Sequence, residues 1–438
     1  MTFDVRHNPR PSCKNGGQSP PYNDLATIPE KLRILFSLPG LHRVNRGAEV
    51  VLEEVATHAA ANPNFDVTLF GSGPARPNQP YHYRKLHGLP RECFEKFPKL
   101  PYVRDHYMWE ELAHAPSLYF NHRPRDYDIT VTCGYPYSNM LLRRGRKYHP
   151  FDKLRAGRPK HIFITQNGDW MVQAKNAEYK HFGCDGLVCT NPEYYNRHKN
   201  NYPCALIPNG VDTRRFHPRN TGILPVQADR NNQDLSFLES ESNQHGQDAR
   251  DTTTLIREQF NLPRNTPIIL IVSALIPSKK VPDAIRAVAN LPDAHLVIAG
   301  DGEQRSEVDS LANTLLKNRF TSLTLPREKM PDLYRSADVL LHMSQDEPFG
   351  NIYIEALATG LPIVAHQTPA TQWILEDQAN LIDTSDLQAV TRALQAALTQ
   401  NTPAQTIARR ALAEKRFSWP AVARQYCDFF QHVFYNID

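Results

Sequence analysis

SQDEPFGNIYIEALATGLPIVA, residues 344–365, begins at the end of the apolar run DVLLHMS (338–344) and closes inside a second one, LPIVAH (361–366). Both runs are short, apolar and bounded by polar or turn residues, which predicts two buried strands. Between them 351–359 has helical spacing, and Gly350, with no Cβ, allows close approach at the start of that helix. Strand, loop, helix and strand make the repeating unit of a parallel α/β sheet. The loop carries Glu347 and the helix carries Glu355, eight residues later. The N–H groups of Gly350, Asn351 and Ile352 have no partners within the first helical turn and form an anion site. A carboxylate on each side of an anion site suits a ligand with phosphate at its centre and hydroxyls at both ends. A nucleotide sugar has that shape, with Glu355 accepting from ribose hydroxyls and Glu347 from sugar hydroxyls. The plain alternative is a helix bearing two solvated glutamates.

The same alternation extends on both sides. PIILIVSAL (267–275), HLVIAGDG (295–302) and TSLTL (321–325) read as strands, with helical patterns over 281–291, 303–316 and 331–336. Upstream, LRILFSL (32–38), FDVTLFGSG (65–73), DITVTCG (128–134), HIFITQ (161–166) and GLVCT (186–190) read as strands of a second α/β unit, with a helix near 48–60. CALIPNGVDTRRFHP (204–218) interrupts the rhythm with Pro, Gly and Asn. The expected organisation is a disordered arm (1–30), an N-terminal α/β domain (31–205), a linker (206–218), a disordered polar insertion (219–253), a C-terminal α/β domain (254–415) and a last segment (416–438). Ligands of open α/β sheets bind beyond the carboxyl ends of the strands, so two facing halves place a ligand in the cleft between them.

Composition excludes several classes. The chain has 438 residues, 40% apolar, which is ample for two cores. Its net charge of +4 over that length, without a long basic tract, argues against a nucleic-acid binder. Seven cysteines, an odd number with no C-x-x-C, imply neither a disulfide framework nor a zinc site. No run approaches the roughly 20 apolar residues needed to span a bilayer, and the first residues lack the apolar core of a secretory signal. The expected compartment is the cytoplasm.

Glu347 and Glu355 together resemble the E-x(7)-E signature of family 4 glycosyltransferases, the glycosyl transferases group 1, which are retaining enzymes of the GT-B fold. IPNGVDTRRFHP resembles the inter-domain linker of that family, LIPSKKVPDAIRAV its phosphate loop, LVIAGDGEQ and MPDLYRSADVLLHMS further blocks, and RFSWPAVARQY (416–426) the helix that returns to the N-terminal domain. The resemblance covers about 32–438 without the insertion and is strongest from 204 onward. It implies two Rossmann-like domains, the first holding the acceptor and the second a UDP- or GDP-linked sugar. It also implies transfer to a glycan or lipid-linked acceptor in cell-surface polysaccharide synthesis, without metal or other cofactor. By position, Glu355 matches the ribose ligand and Glu347 the glutamate beside the reacting carbon. Phe349, Gly350, Asn351 and Ile352 match the loop holding sugar and diphosphate, and Lys279 the diphosphate lysine. Gly47 matches the second glycine of the N-terminal loop. Apart from the resemblance, the glycine turn Gly300-Asp301-Gly302 lacks the full dinucleotide fingerprint, and Gly302 is a candidate for close approach to the nucleotide.

The sequence departs from that pattern in three places. Ser273-Ala274 stands where Gly-Arg is usual, so half of a cationic clamp is missing, with Lys280 or Arg46 as substitutes. Arg46 replaces the first glycine of the usual pair. The strand that often ends in a sugar-contacting histidine ends Thr165-Gln166-Asn167-Gly168-Asp169, which nominates Gln166 and Asp169 as sugar or acceptor ligands. Among weaker signals, Asp126-Tyr127-Asp128 spells a metal-binding D-x-D but precedes its strand. Tyr135, Tyr137, Trp170 and Tyr179 are candidates for stacking on an acceptor sugar. The basic stretch 143–161 is either a solvated loop or a peripheral contact with the inner membrane face. Two other readings stay open: a GT-B enzyme that does not transfer, such as a nucleotide-sugar epimerase, and an inactive glycan- or nucleotide-binding protein.

Overall fold

In the computed structural model, residues 31–144, 159–166, 181–219 and 253–435 are described. The arm (1–30), most of the insertion and of the basic stretch, and Asp169, Trp170 and Tyr179 lie outside them. The chain opens with β1 (Leu32–Ser37), α1 (Gly47–Ala60), β2 (Phe65–Gly71) and β3 (His82–Lys85). It continues through α2 (His106–Asn121), β4 (Ile129–Thr132), α3 (Tyr137–Leu142), β5 (Lys160–Ile164), β6 (Gly186–Cys189), α4 (Pro192–His198) and β7 (Cys204–Leu206). These strands pair in parallel in the order β3-β2-β1-β4-β5-β6-β7. β1, β4 and β6 are buried along their whole length or nearly so, as strands covered by helices on both faces must be.

A short helix, α5 (253–259), leads into the second sheet. Its elements are β8 (Ile268–Val272), α6 (Val281–Ala289), β9 (His295–Ala299), α7 (Arg305–Leu316), β10 (Phe320–Leu323), α8 (Met330–Ser336), β11 (Val339–His342), α9 (Asn351–Ala358), β12 (Ile363–His366), α10 (Pro369–Leu375) and β13 (Asn380–Ile382). The order is β10-β9-β8-β11-β12-β13, again parallel. The strand order reverses between β8 and β11, and the ends of both strands carry the residues of interest. Asp338 fixes that junction, accepting from Ile268 N at 2.7 Å and from the buried Arg257 at 2.7 Å.

Helices α11 (Leu387–Thr399) and α12 (Pro403–Leu412) close the second domain, and α13 (Trp419–Tyr435) leaves it. Val211 N bonds to Phe417 O at 2.7 Å, pinning the outgoing linker against the returning chain. α13 then packs on α1, and Val422, Tyr426 and Phe430 join the core beneath β1. Phe430 meets Phe36 edge-on at 5.9 Å. The Tyr426 hydroxyl in the same core is buried and has no hydrogen-bond partner among the described residues. A buried polar atom left unpaired is a net cost. Tyr426→Phe is therefore expected to stabilise the protein by about 1 kcal/mol, measured by urea unfolding. Destabilisation would show that the hydroxyl is satisfied.

The sequence did not signal β3, β7, β13 or α2. β7 and β13 have three residues each and are only partly buried, so they show no period. α2 holds Pro116 in its interior and buries Glu110, Glu111 and His114, which reads from sequence as a broken polar segment. The D-x-D motif has a structural role: Asp128 accepts from Arg33 Nη2 at 2.9 Å, Nε at 3.1 Å and the backbone N at 3.0 Å. Tyr135 is fully buried and therefore stacks on no ligand.

Candidate active site

Two helices aim their N-termini at the cleft. α9 starts at Asn351 after Gly350, whose φ of +76° and lack of a Cβ are both required. A methyl group there would lie 2.7 Å from the Tyr353 ring and 2.9 Å from Glu347 Cγ. α1 starts at Gly47 on the opposite domain, and a Cβ on Gly47 would come within 3.8 Å of the Asn351 amide. Two sets of unpaired N–H groups, each at a positive dipole end, thus converge between the domains.

Two chambers meet there. The larger, about 700 Å³, lies beneath β8 and β9 and is lined by Ser273, Ala274, Gly300, Asp301, Arg327, Ile352 and Glu355. The smaller, about 360 Å³, is lined by Arg46, Glu49, Arg91, Gln166, Glu347, Pro348 and Phe349. Gly47 and Asn351 line both. The eight-residue spacing of the two glutamates therefore puts one in each chamber, with the helix N-termini at the junction. Gly302 does not line either chamber; its neighbour Gly300 lines the larger one. Gly302 packs against the Leu275 backbone, where a Cβ would come within 2.5 Å of the carbonyl oxygen.

Glu347 accepts from Lys279 Nζ at 2.5 Å and from His342 Nε2 at 3.1 Å. Burial pushes its carboxyl pKa up, but these two partners outweigh burial and hold it below the ordinary carboxylate value. Lys279 ends a short turn after β8. Lys280, at φ +52°, then starts α6 in the left-handed conformation, which is why glycine suits that position. Glu355 behaves oppositely. Burial dominates and raises its pKa to about 7, against smaller lowering influences from the neighbouring Tyr334 hydroxyl and Arg327.

Gln166 at the end of β5 donates to Asn209 Oδ1 at 2.6 Å, and Asn209 donates to Asn351 Oδ1 at 2.9 Å. Asn191, the N-cap of α4, donates to Pro348 O at 2.7 Å. These amides tie the first domain, the linker and the Glu347 loop together. Arg46 does not act as the substitute clamp. It donates to Glu110 Oε1 and Oε2, at 3.1 Å each, and turns toward the smaller chamber. Ala274 itself brings no cation to the larger chamber, whose lining arginines are Arg76, Arg215 and Arg327. His342, Asn209, Arg91 and Glu110 escaped the sequence reading. Only His342, a lone imidazole in an apolar strand five residues before Glu347, gave any signal.

Residues 252–415 match the family model described as glycosyl transferases group 1. The matched residues are those of the C-terminal domain. Among curated relatives, the lipopolysaccharide core biosynthesis glycosyltransferase LpsE of Rhizobium meliloti is 29% identical over 157 residues, which are 35% of this chain and 46% of that protein. A D-inositol 3-phosphate glycosyltransferase of Xylanimonas cellulosilytica is 30% identical over 188 residues, 40% of this chain and 45% of the relative. The chain thus spans less than half the length of these relatives. Over whole structures the likeness is broader. Sucrose-phosphate synthase of Thermosynechococcus elongatus superposes with a TM-score of 0.64 at 19% identity, over 93% of this chain and all of that one. Anabaena Alr3699/HepE, in complex with UDP and glucose, gives 0.61 at 16% identity, over 91% of this chain and 99% of that one. The two domains together make the GT-B fold. Among the described residues no helix is long and apolar enough to cross a membrane, and no three metal-binding side chains cluster.

Proposed function

We propose that the protein is a retaining glycosyltransferase that moves a sugar from a UDP- or GDP-linked donor to a glycan or lipid-linked acceptor in cell-surface polysaccharide synthesis, without a metal. The observation that carries this reading is the pair of chambers joined at two helix N-termini, with Glu355 in one and Glu347 in the other. The nucleoside lies in the larger chamber with its ribose on Glu355. The diphosphate lies at Gly47 and Asn351 with Lys279 as its cation, and the sugar enters the smaller chamber beside Glu347. The UDP held by the Anabaena relative supports a donor of this class.

Transfer with retention proceeds by attack from the leaving-group face. The acceptor hydroxyl forms its bond to the anomeric carbon as the bond to the β-phosphate oxygen breaks, and that phosphate takes the hydroxyl proton. The protein positions both substrates and stabilises the separating charges. Lys279 and the helix N-termini stabilise the departing diphosphate, while Glu347 faces the positive charge growing on the sugar.

Thermal unfolding with UDP, GDP and ADP tests the donor site. A ligand held at about 100 times its Kd stabilises the folded state by roughly 2.7 kcal/mol. One nucleotide is expected to raise Tm by several degrees, and Lys279→Ala to reduce that shift. No shift with any of the three refutes the reading.

A further inference from the structure

Two guanidiniums that line the smaller chamber, Arg46 and Arg91, are held by one buried carboxylate. Glu110, 1% exposed on α2, accepts from Arg46 at 3.1 Å, from Arg91 Nε at 3.2 Å and from Arg43. One buried carboxylate thus gathers three guanidiniums. Glu92 also attracts Arg46 but is exposed and outside ion-pair distance, whereas Glu49 lies 3.8 Å from Arg46 Nε. Burial raises its pKa, with Arg46 opposing, and this weakens it as a counter-charge. Guanidiniums that share one fully ion-paired carboxylate repel one another and favour an incoming anion.

Their placement says where that anion sits. Arg46 and Arg91 line the chamber that contains Glu347 and Gln166, while Glu110 holds them from behind. Arg91 gives Glu110 only its Nε, and its terminal nitrogens have no hydrogen-bond partner among the described residues. Its Cζ lies over the Tyr107 ring, 5.0 Å from the centroid. A guanidinium with both terminal nitrogens available is suited to bidentate binding of a phosphate. In the donor placement proposed above, the diphosphate at Gly47 and Asn351 leaves this pair to another anion.

We propose that the acceptor is a phosphorylated sugar or polyol, and that Arg46 and Arg91, positioned by Glu110, bind its phosphate in the chamber where Glu347 faces the donor sugar. This rests on the glycosyltransferase reading for the word acceptor. The phosphate subsite itself is a binding property and is tested as one.

The protein is first saturated with whichever nucleotide raises its Tm, or used alone if none does. It is then titrated calorimetrically with glucose 6-phosphate, inositol 1-phosphate and glycerol 3-phosphate, each against its unphosphorylated counterpart. At least one phosphate is expected to bind about tenfold or more tightly than its neutral partner. That margin is expected to vanish in Arg91→Gln and in Arg46→Gln, while their nucleotide-induced Tm shift stays as in wild type. Short-chain phosphatidylinositol 4-phosphate forms a second arm. If it alone shows the arginine-dependent margin, the same subsite serves a lipid headgroup; if the soluble phosphates show it, the source is a free metabolite. The proposal is overturned if no phosphate exceeds its counterpart, or if the margin survives both arginine substitutions. A wild type that binds a phosphate but no nucleotide would sink the donor reading instead, so the two failures are distinguishable.

Discussion

Replacing Glu347 with alanine is expected to lower kcat by about 10²- to 10³-fold, the scale seen when one preorganised electrostatic group is removed from an active site. Nucleotide affinity is expected to fall by less than about threefold. The split follows from position: Glu347 lies in the smaller chamber and Glu355 in the larger. Its carboxylate is ionised over the whole working pH range, because Lys279 and His342 outweigh burial and lower its pKa. A full negative charge, partly buried and held by two donors, is preorganised for positive charge developing on the sugar. Removing it also frees Lys279, which then has only the diphosphate to meet, so the donor should not bind less well. Glu347→Gln keeps the volume and one acceptor atom but not the charge. Its kcat should therefore lie close to that of the alanine variant. Steady-state kcat together with nucleotide Kd checks this. A loss confined to Kd, or a glutamine variant near wild type, would mean that Glu347 binds and does not stabilise the reaction.

How much of this was legible before the structure depended on how local each feature is. The E-x(7)-E spacing, the anion site and the lysine after β8 are short-range patterns, and the fold places them together because consecutive strand ends of one sheet point the same way. The two-sheet architecture was legible because fully buried parallel strands read as apolar runs. What stayed hidden depends on contacts between distant positions. Arg91 and Glu110 lie in separate elements, and nothing in either local sequence marks the ion cluster they build with Arg43 and Arg46. The same holds for Arg46: beside Gly47 it looks like a diphosphate ligand, and only the approach of α2 turns it away. The relay from Gln166 through Asn209 to Asn351 joins two domains and a linker, so it exists only once the domains face each other.

Glu355→Gln is expected to stabilise the fold while weakening nucleotide binding, and the pH dependence of both effects identifies the cause. The Glu355 carboxyl has its pKa raised by burial to about 7, against an ordinary value of 4.5. Between those two values the folded protein binds a proton that the unfolded chain has released. Stability therefore falls as pH rises through that window, and the full penalty is present above it. The linkage amounts to about 3 kcal/mol at pH 8. Glutamine, which carries no charge, removes that penalty, so the variant should gain up to that amount at pH 8 and almost nothing near pH 4.5. Urea unfolding of both proteins across this range measures the difference. Ribose hydroxyls, however, donate most strongly to the ionised carboxylate. Wild-type affinity for the nucleotide should then rise between pH 6 and pH 8 by up to about tenfold per unit below the pKa, and the variant should lack this rise. The nucleotide phosphate titrates in both proteins and drops out of the comparison. A stability gain independent of pH would trace the effect to packing. Equal pH profiles for binding would remove Glu355 from the ribose site. If both expectations hold, the second glutamate of the motif is a charge kept in an unfavourable place because the ligand needs it there, as functional residues often are.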